Sequence, residues 1–303
     1  MKKNIFSWMT IVLMAFVVCA GFSACGDDDD SGAETGRGSY ATSDGQDVGT
    51  FQGAKRVFGD NLVKVVDHVT STNRYEFTYD AKGYLTKLVK IDYWYNTDNT
   101  YITENDNTEY ELIYSKNKVT VNRYQSGALT KTYNGTIGSN GFLSRFDEDG
   151  DEVYTFTYDN SGHMTRYTLT EDGEVDDDVY LTWSNGDVVS GENKDSSPEV
   201  YKVSYEYNGV GPFNNVVGIP DLDTMSTIDI DLYEFFIYGG FLGFGPVHLP
   251  VYSTELETKK DGTQTTETEV NTYEFDNQNR PIRLVKQSSK QSHDPSYTYT
   301  WEY

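Results

Sequence analysis

Four sets of residues in this chain are of types that carry chemistry. The first is the histidines, His68, His163, His248 and His293. No pair of them has metal-ligand spacing, and neither an H-E-x-x-H motif nor a Cys–His cluster occurs. His163 stands where a sister hairpin carries Tyr84, so it reads as filling a structural position. The second set is acidic: the run Asp147 to Glu152 around Gly150, and Glu171 to Glu174 followed by Asp176, Asp177 and Asp178. Calcium takes several oxygen ligands on a turn. However, Gly150 is the fourth residue counted from Asp147, and an EF-hand loop needs it sixth. Solvated hairpin tips, where charge keeps strands from pairing with other chains, account for both runs. A pair of carboxylates about 5–10 Å apart would also serve glycoside hydrolysis. No G-x-S-x-G elbow, P-loop or dinucleotide fingerprint is present. No metal, no cofactor and no catalytic residue is expected.

The third set is Tyr93, Trp94 and Tyr95. On a strand, Tyr93 and Tyr95 share a face and Trp94 points the other way. Aromatic rings on an open sheet face make stacking platforms for sugars or peptides, so these three are the expected binding residues. A sheet with both faces covered would instead bury them all, or Trp94 would pack under a loop. The fourth is Cys25. Lys2 and Lys3 form a positive start, Ile11 to Ala20 an apolar stretch too short to span a membrane, and Phe22-Ser23-Ala24-Cys25 a cleavage region. Small residues directly before a cysteine resemble a bacterial lipobox, whose cysteine is lipidated and becomes the first residue of the mature protein. Phe22 departs from the usual Leu, and an ordinary secretory leader is the alternative. Gly26 and Asp27 to Asp30 follow, similar to the surface-export signal of Bacteroidetes lipoproteins. The expectation is a lipid-anchored outer-membrane protein facing the cell exterior, held to outer-membrane lipid through Cys25.

Composition agrees. The chain has 303 residues, a formal charge of −24 and an aromatic content of 15%, dominated by 25 tyrosines. Loss of Lys2 and Lys3 with the leader makes the charge −26. So acidic a field excludes general nucleic-acid binding. The only other cysteine, Cys19, lies in the leader, which leaves no disulfide.

These residues need elements to position them. Tyr154 to Tyr167, Y-T-F-T-Y-D-N-S-G-H-M-T-R-Y, is the central one: an aromatic strand, the turn Asp159–Gly162, and a return strand. Asp opens such a turn by accepting from the backbone two residues on, and Gly closes it at positive φ. The unit recurs at Tyr75 to Leu88, and in degenerate form at Asp276–Asn279, where Pro281 stands in the place of Leu85 and Met164. Asn140-Gly141, Asp149-Gly150, Asp172-Gly173, Asn185-Gly186 and Asp261-Gly262 mark further hairpins. Turn signals at intervals of about ten to twelve residues suit a sandwich, barrel or meander of about fourteen to sixteen strands. One excursion, Gly209 to Pro250, breaks the rule. It holds a helix expected over Thr227 to Tyr238, capped by Ser226 or Thr227 and stopped by Gly239-Gly240.

The string R-Y-E-F-T-Y-D-A-K-G-Y-L at Arg74 to Leu85 is similar to the tyrosine-aspartate repeats of RHS-type proteins. The whole arrangement resembles the DUF4595 family of Bacteroidetes lipoproteins more closely: lipoprotein signal, acidic tether, aromatic hairpins and a late glycine-rich excursion ending at Leu249-Pro250. The resemblance covers about Leu62 to Tyr303. It implies a porin-like antiparallel fold and brings no established function. The expected fold is therefore all-β, an antiparallel meander of hairpins forming an open or incomplete barrel, with one short helix inserted late. The expected organisation is a signal peptide over 1–24, an acidic flexible tether over 25–54 and a single hairpin-repeat domain over 55–303. The expected function is non-catalytic binding of an extracellular glycan or protein. An extracellular glycan hydrolase using paired carboxylates and a membrane-spanning β-barrel stay open as alternatives. The hydrolase requires two acids that converge in a concave pocket. The spanning barrel requires an apolar outer band.

Overall fold

A computed structural model describes residues 51, 53, 64–68, 72–95, 101–103, 107–148, 150–194, 200–207, 233–289 and 296–303. The chain divides into two units, Met1–Ser39 and Tyr40–Tyr303, and every described residue lies in the second.

Among the described residues, seventeen strands run in chain order. They are β1 (Lys64–His68), β2 (Thr72–Tyr79), β3 (Leu85–Tyr95), β4 (Tyr101–Thr103), β5 (Thr108–Ser115), β6 (Lys118–Gln125), β7 (Ala128–Ile137), β8 (Leu143–Glu148) and β9 (Glu152–Tyr158). Then come β10 (Met164–Glu171), β11 (Glu174–Ser184), β12 (Asp187–Asn193), β13 (Val200–Tyr207), the helix α1 (Glu234–Tyr238), β14 (Pro250–Thr258), β15 (Gln264–Phe275), β16 (Pro281–Ser288) and β17 (Ser296–Glu302). All pairings are antiparallel, mostly between chain neighbours. β1 lies between β2 and β17, so the pairings run in a circuit. The wall is uneven. β1 has only five residues, and β5 reaches β3 only through Lys87 to Lys90, beyond which β3 pairs with β4. The all-β meander with an incomplete wall and a late helix is as expected. The count exceeds the expected range because the three-residue β4 forms beside the circuit.

The turns follow from side-chain chemistry. The Asp80 carboxylate accepts from the N–H of Lys82 at 2.8 Å and of Tyr84 at 3.0 Å, and Gly83 takes φ +85°. Asp159 does the same with Ser161 and His163, and Asp276 with Gln278 and Arg280, where Asn279 adopts φ +61° in the glycine position. Asp172-Gly173 and Asn185-Gly186 have positive φ at both residues, as a type I′ turn needs. Asn140 and Asp261 do not. Their glycines instead close four-residue turns, with Gly141 donating to Gly138 and Gly262 to Lys259.

A second rule recurs beside these turns. At six strand pairs the second strand carries one extra residue, a β-bulge, and the carbonyl just before it accepts from an aromatic side chain in or directly after the following wall strand. Tyr114 donates to Leu85, Tyr158 to Leu143, Trp183 to Met164, Tyr207 to Val188, Tyr273 to Pro250 and Tyr303 to Pro281, at 2.7–2.9 Å. The bulges lie at Thr78/Tyr79, Thr136/Ile137, Met164/Arg166, Thr182/Trp183, Glu206/Tyr207 and Glu274/Phe275. Prolines 250 and 281 fit this slot because a strand's first residue at a bulge tolerates the missing N–H.

Alternate residues point inward into one aromatic core that includes Tyr133, Phe146, Tyr154, Phe156 and Tyr167. Helix α1 fills it with Phe235 and Phe236, both fully buried. Phe236 meets the rings of Phe146, Tyr154 and Phe156 edge-on at 4.7–5.6 Å. The helix is shorter than the expected Thr227 to Tyr238. Its N-cap is Tyr233, without a side-chain hydrogen bond, and the expected caps Ser226 and Thr227 lie outside the described residues. It stops where expected. A Cβ on Gly239 would sit 2.4 Å from both the Phe235 carbonyl and the Phe241 ring, so only glycine passes. Phe51, in the stretch expected to be tether, is buried and stacks on Phe241 at 4.8 Å.

Candidate functional site

The expected binding residues occupy the far end of β3. Tyr93, Trp94 and Tyr95 pair with Thr103, Ile102 and Tyr101 of β4, and Tyr93 also opposes Thr72. The strand register places Tyr93 and Tyr95 on one face and Trp94 on the other, while their side chains lie outside the described residues. Cys25 and His293 lie outside them altogether, and of His68 only the backbone, in β1, is described.

His163 and His248 are each tied to an aspartate. Nδ1 of His163 is 3.1 Å from Asp159, and its ring stacks on Trp183 at 4.4 Å. Nδ1 of His248 is 2.8 Å from Asp187, whose other oxygen accepts the His248 N–H at 2.9 Å. The first pair lies within one turn, whereas the second ties the segment from Gly239 to Pro250 to another, and backbone contacts add to it: Gly243 bridges to His163, and the N–H groups of Phe244 and Val247 donate to Gly162 and Gly186.

The acids at the tips also have local partners. Asp147 accepts from the Gly150 N–H at 2.7 Å and from Arg145 at 2.6 Å. The guanidinium of Arg145, with the Gly150 N–H and despite partial burial, holds the Asp147 carboxyl below the usual range. Asp178 pairs with Arg166 at 2.6 Å, and buried Glu148 accepts from Tyr233 at 2.7 Å and pairs with Lys131. Among the described residues, no three His, Cys, Asp or Glu side chains are grouped to hold a metal ion.

A groove of about 640 Å³ lies between the β7–β8 and β9–β10 turns, lined by Ser139, Asn140, Ser144, Thr157, Asn160 and Ser161 among others. Much of its polar surface serves the turns themselves. The Asn140 oxygen accepts from Phe142, and Ser144 donates to Thr136.

The inner face of β14, β15 and β16 differs from the rest of the wall. Besides Tyr273 and Leu284, these turn inward Ser253 and Glu255, then Glu267, Glu269 and Asn271, then Lys286 and Ser288, a longer polar run than the paired Asp177 and Asn193 of β11 and β12. Glu255 opposes Glu267, Ser253 opposes Glu269, Glu269 opposes Ser288, and Asn271 opposes Lys286. All but the half-buried Glu267 are buried, and Ser288 donates to Glu267. Val203 and Tyr205 of β13 extend this face, opposite Glu255 and Ser253. Asn271 is 4% exposed, and neither its amide nitrogen nor its amide oxygen has a hydrogen-bond partner. Burying such an amide unpaired costs about 1–3 kcal/mol by protein mutational measures. Nothing in the hairpin pattern requires it, since apolar residues serve at equivalent inward positions such as Val121 and Leu181. This stripe is the candidate site. Parity puts Asn271, Glu269 and Glu267 on the face of Tyr273, but nothing local in the sequence says that this face is the inner one.

Residues 146–283 match DUF4595, a domain of unknown function with porin-like fold. The DUF4595 match starts in β8 and ends in β16, and so includes α1 and most of the polar stripe. No curated protein matches the chain. Among solved structures, a porin-like protein from Bacteroides uniformis ATCC 8492 superposes with a TM-score of 0.63 at 15% identity, over 79% of this chain and 95% of that one. A porin-like protein from Bacteroides vulgatus ATCC 8482 gives a TM-score of 0.48 at 15% identity, over 80% and 98%. The first of these agrees with the DUF4595 fold.

Proposed function

We propose that this protein is a lipid-anchored, non-catalytic binding module of the outer membrane, facing the cell exterior, and that the stripe on β14–β16 contacts its ligand. The observation that carries this reading is the buried, unpaired Asn271 amide among charged neighbours. A scaffold that buries polar groups at a cost, where its own pattern accepts apolar ones, has a use for them. Anchoring rests on the leader, Cys25 and the acidic run after it. The outer wall argues against a spanning barrel: β7 buries Tyr133, Gly135 and Ile137 and turns Thr132, Asn134 and Thr136 outward. Lipid would require apolar residues there.

Binding of the full-length protein to a glycan and peptide array tests the reading. A ligand that is captured by the wild type and lost in Asn271→Leu, with an unchanged melt, supports it. Ligands that survive Asn271→Leu but are lost in Trp94→Ala would move the site to β3. Membrane retention of Cys25→Ala would remove the lipid anchor from the account.

One observation favours a second reading. Glu255 and Glu267 face each other in register on the inner wall, the kind of paired carboxylates a glycosidase uses. Hydrolysis of a glycan by the wild type that disappears in Glu267→Gln would establish it.

A further inference from the structure

We infer that the groove between the β7–β8 and β9–β10 turns is a second binding site, separate from the β14–β16 stripe, and that it takes a neutral glycan chain. The groove is built by a local opening of the wall. β8 and β9 pair from Glu148 and Glu152 only as far as Arg145 and Thr155. Beyond that point they part, and the N–H of Leu143 turns to the Phe241 carbonyl at 2.9 Å. The space left has a volume of about 640 Å³. Ligand pockets run from about 300 to about 1,000 Å³. Phe142 and the half-buried Tyr158, with ring centroids 5.4 Å apart, give the groove its apolar part.

The polar groups decide what it can hold. Ser139 on one turn, and Asn160 and Ser161 on the other, are exposed lining residues whose side chains make no hydrogen bond among the described residues. Hydroxyls and amides both donate and accept, as the hydroxyls of a sugar do. Asp159 is the one charged residue of the lining. Its carboxylate already accepts from the N–H groups of Ser161 and His163, and Nδ1 of His163 faces it at 3.1 Å. The lining therefore offers no cation to an anionic guest and no uncommitted carboxylate to a cationic one. A peptide meets a different obstacle. An extended segment gains its affinity by pairing with a free strand edge. Here the parted end of β8 is already satisfied: the Leu143 N–H and carbonyl serve Phe241 and Tyr158, and those of Phe142 serve Asn140 and Gly138. Recognition through side chains, of a chain rich in hydroxyls, is what the groove supports.

The test is calorimetric titration of the full-length protein with neutral glucan, mannan and xylan hexasaccharides, with oligogalacturonate and chitosan oligomers as anionic and cationic controls. At least one neutral hexasaccharide is expected to bind, and more tightly than either control. The Asn160 side chain enters none of the turn's hydrogen bonds. Asn160→Ala should therefore keep the wild-type melt and weaken binding roughly two- to tenfold. Thr157→Phe, which fills the groove from an exposed position on β9, should abolish it. If Thr157→Phe folds poorly, Asn160→Ala carries the test. Asn271→Leu should leave this binding unchanged, which separates the groove from the stripe. No binding of any neutral hexasaccharide, tighter binding of a charged control, or binding that Asn160→Ala leaves unchanged would each overturn the inference. Binding lost in Asn271→Leu but kept in Asn160→Ala would overturn it in favour of the stripe. A peptide captured by the wild type and lost in Thr157→Phe would overturn the glycan class.

Discussion

The aromatic donors are where single side chains hold this structure together. Tyr158 is an example: its hydroxyl donates to the bulge carbonyl of Leu143 at 2.7 Å and lies 3.2 Å from the Phe241 carbonyl. Burial pushes this phenol far above its ordinary range, so it remains a donor at every pH the protein meets. Tyr158→Phe keeps the ring and takes the phenol donor from the Leu143 carbonyl, while the Phe241 carbonyl keeps the Leu143 N–H at 2.9 Å, and the expected loss is about 1–3 kcal/mol in a denaturant melt. A change within experimental error would mean that water replaces the hydroxyl freely. Asp276 gives a pH prediction. The Arg280 N–H, with the Arg280 guanidinium and the Gln278 N–H, holds its carboxyl below the usual range against the opposing effect of desolvation. A carboxylate whose folded value is depressed stabilises above its unfolded value, about 3.9, and that stabilisation is lost as pH falls through the folded value. The melting-temperature gap between wild type and Asp276→Asn should therefore be present at pH 5 and shrink as the pH falls below about 4. A gap that is constant with pH would show that Asn makes the same turn bonds. At this scale the turn aspartates were legible, because their role depends only on residues up to four positions away. Asn271 was not, because its meaning depends on which face of β15 is the inner one, and that is set by strands far along the chain.

At the scale of elements, the hairpins were legible and their bulges were not. Asp and Gly at fixed offsets specify a turn locally. The extra residue after Leu85, Leu143 or Met164 is visible only against its partner strand. The two F-T-Y-D-x-x-G hairpins did carry the information in another form, since the tyrosine before the turn is a bulge donor (Tyr158) or packs against the core (Tyr79). The helix shows the opposite limit. Its glycine stop was readable, and its start was not, because Tyr233, the N-cap residue, is extended and makes no side-chain capping hydrogen bond. Two glycines with nearly equal φ separate local strain from packing. Gly162 and Gly262 have φ of +87° and +82°, but a Cβ at Gly162 would meet Phe142 and Phe244 at 2.9 Å, and one at Gly262 would meet nothing within 4 Å. Gly262→Ala should cost about 1 kcal/mol, from the backbone alone. Gly162→Ala should cost more, roughly 2–3 kcal/mol, as two rings are forced aside. Equal losses in parallel urea melts would show that the rings yield.

For the molecule, the deciding contact is the one between β1 and β17, which pairs Lys64 to Asp67 with Glu302 to Tyr299. Removal of residues 296–303 takes away β17, the Tyr303 donor and the buried Trp301, and leaves β16 and β1 as unpaired edges. The expected outcome is loss of the single cooperative transition and a tendency to aggregate, read by calorimetry and light scattering. A truncated chain that melts like the intact one would show that the circuit's last strand contributes nothing. The meander was legible from turn spacing, but this pairing was not. It joins positions more than two hundred residues apart, and no local pattern encodes it.

Sixteen strands in one circuit among the described residues also set a problem of scale. The perimeter grows with the number of strands, while the cross-section grows as its square. At about eight strands inward side chains just fill the middle, and at sixteen to eighteen a porin wall leaves an aqueous channel. This chain has the strand number of the second case and much of the packed interior of the first. The difference is made up by main chain: α1 and the Gly239–Pro250 crossing carry Phe235, Phe236 and Phe241 to where no wall residue reaches. A shorter excursion would have to be matched by fewer hairpins, and an added hairpin by a longer excursion. The length of that one insertion is in effect a gauge of the diameter.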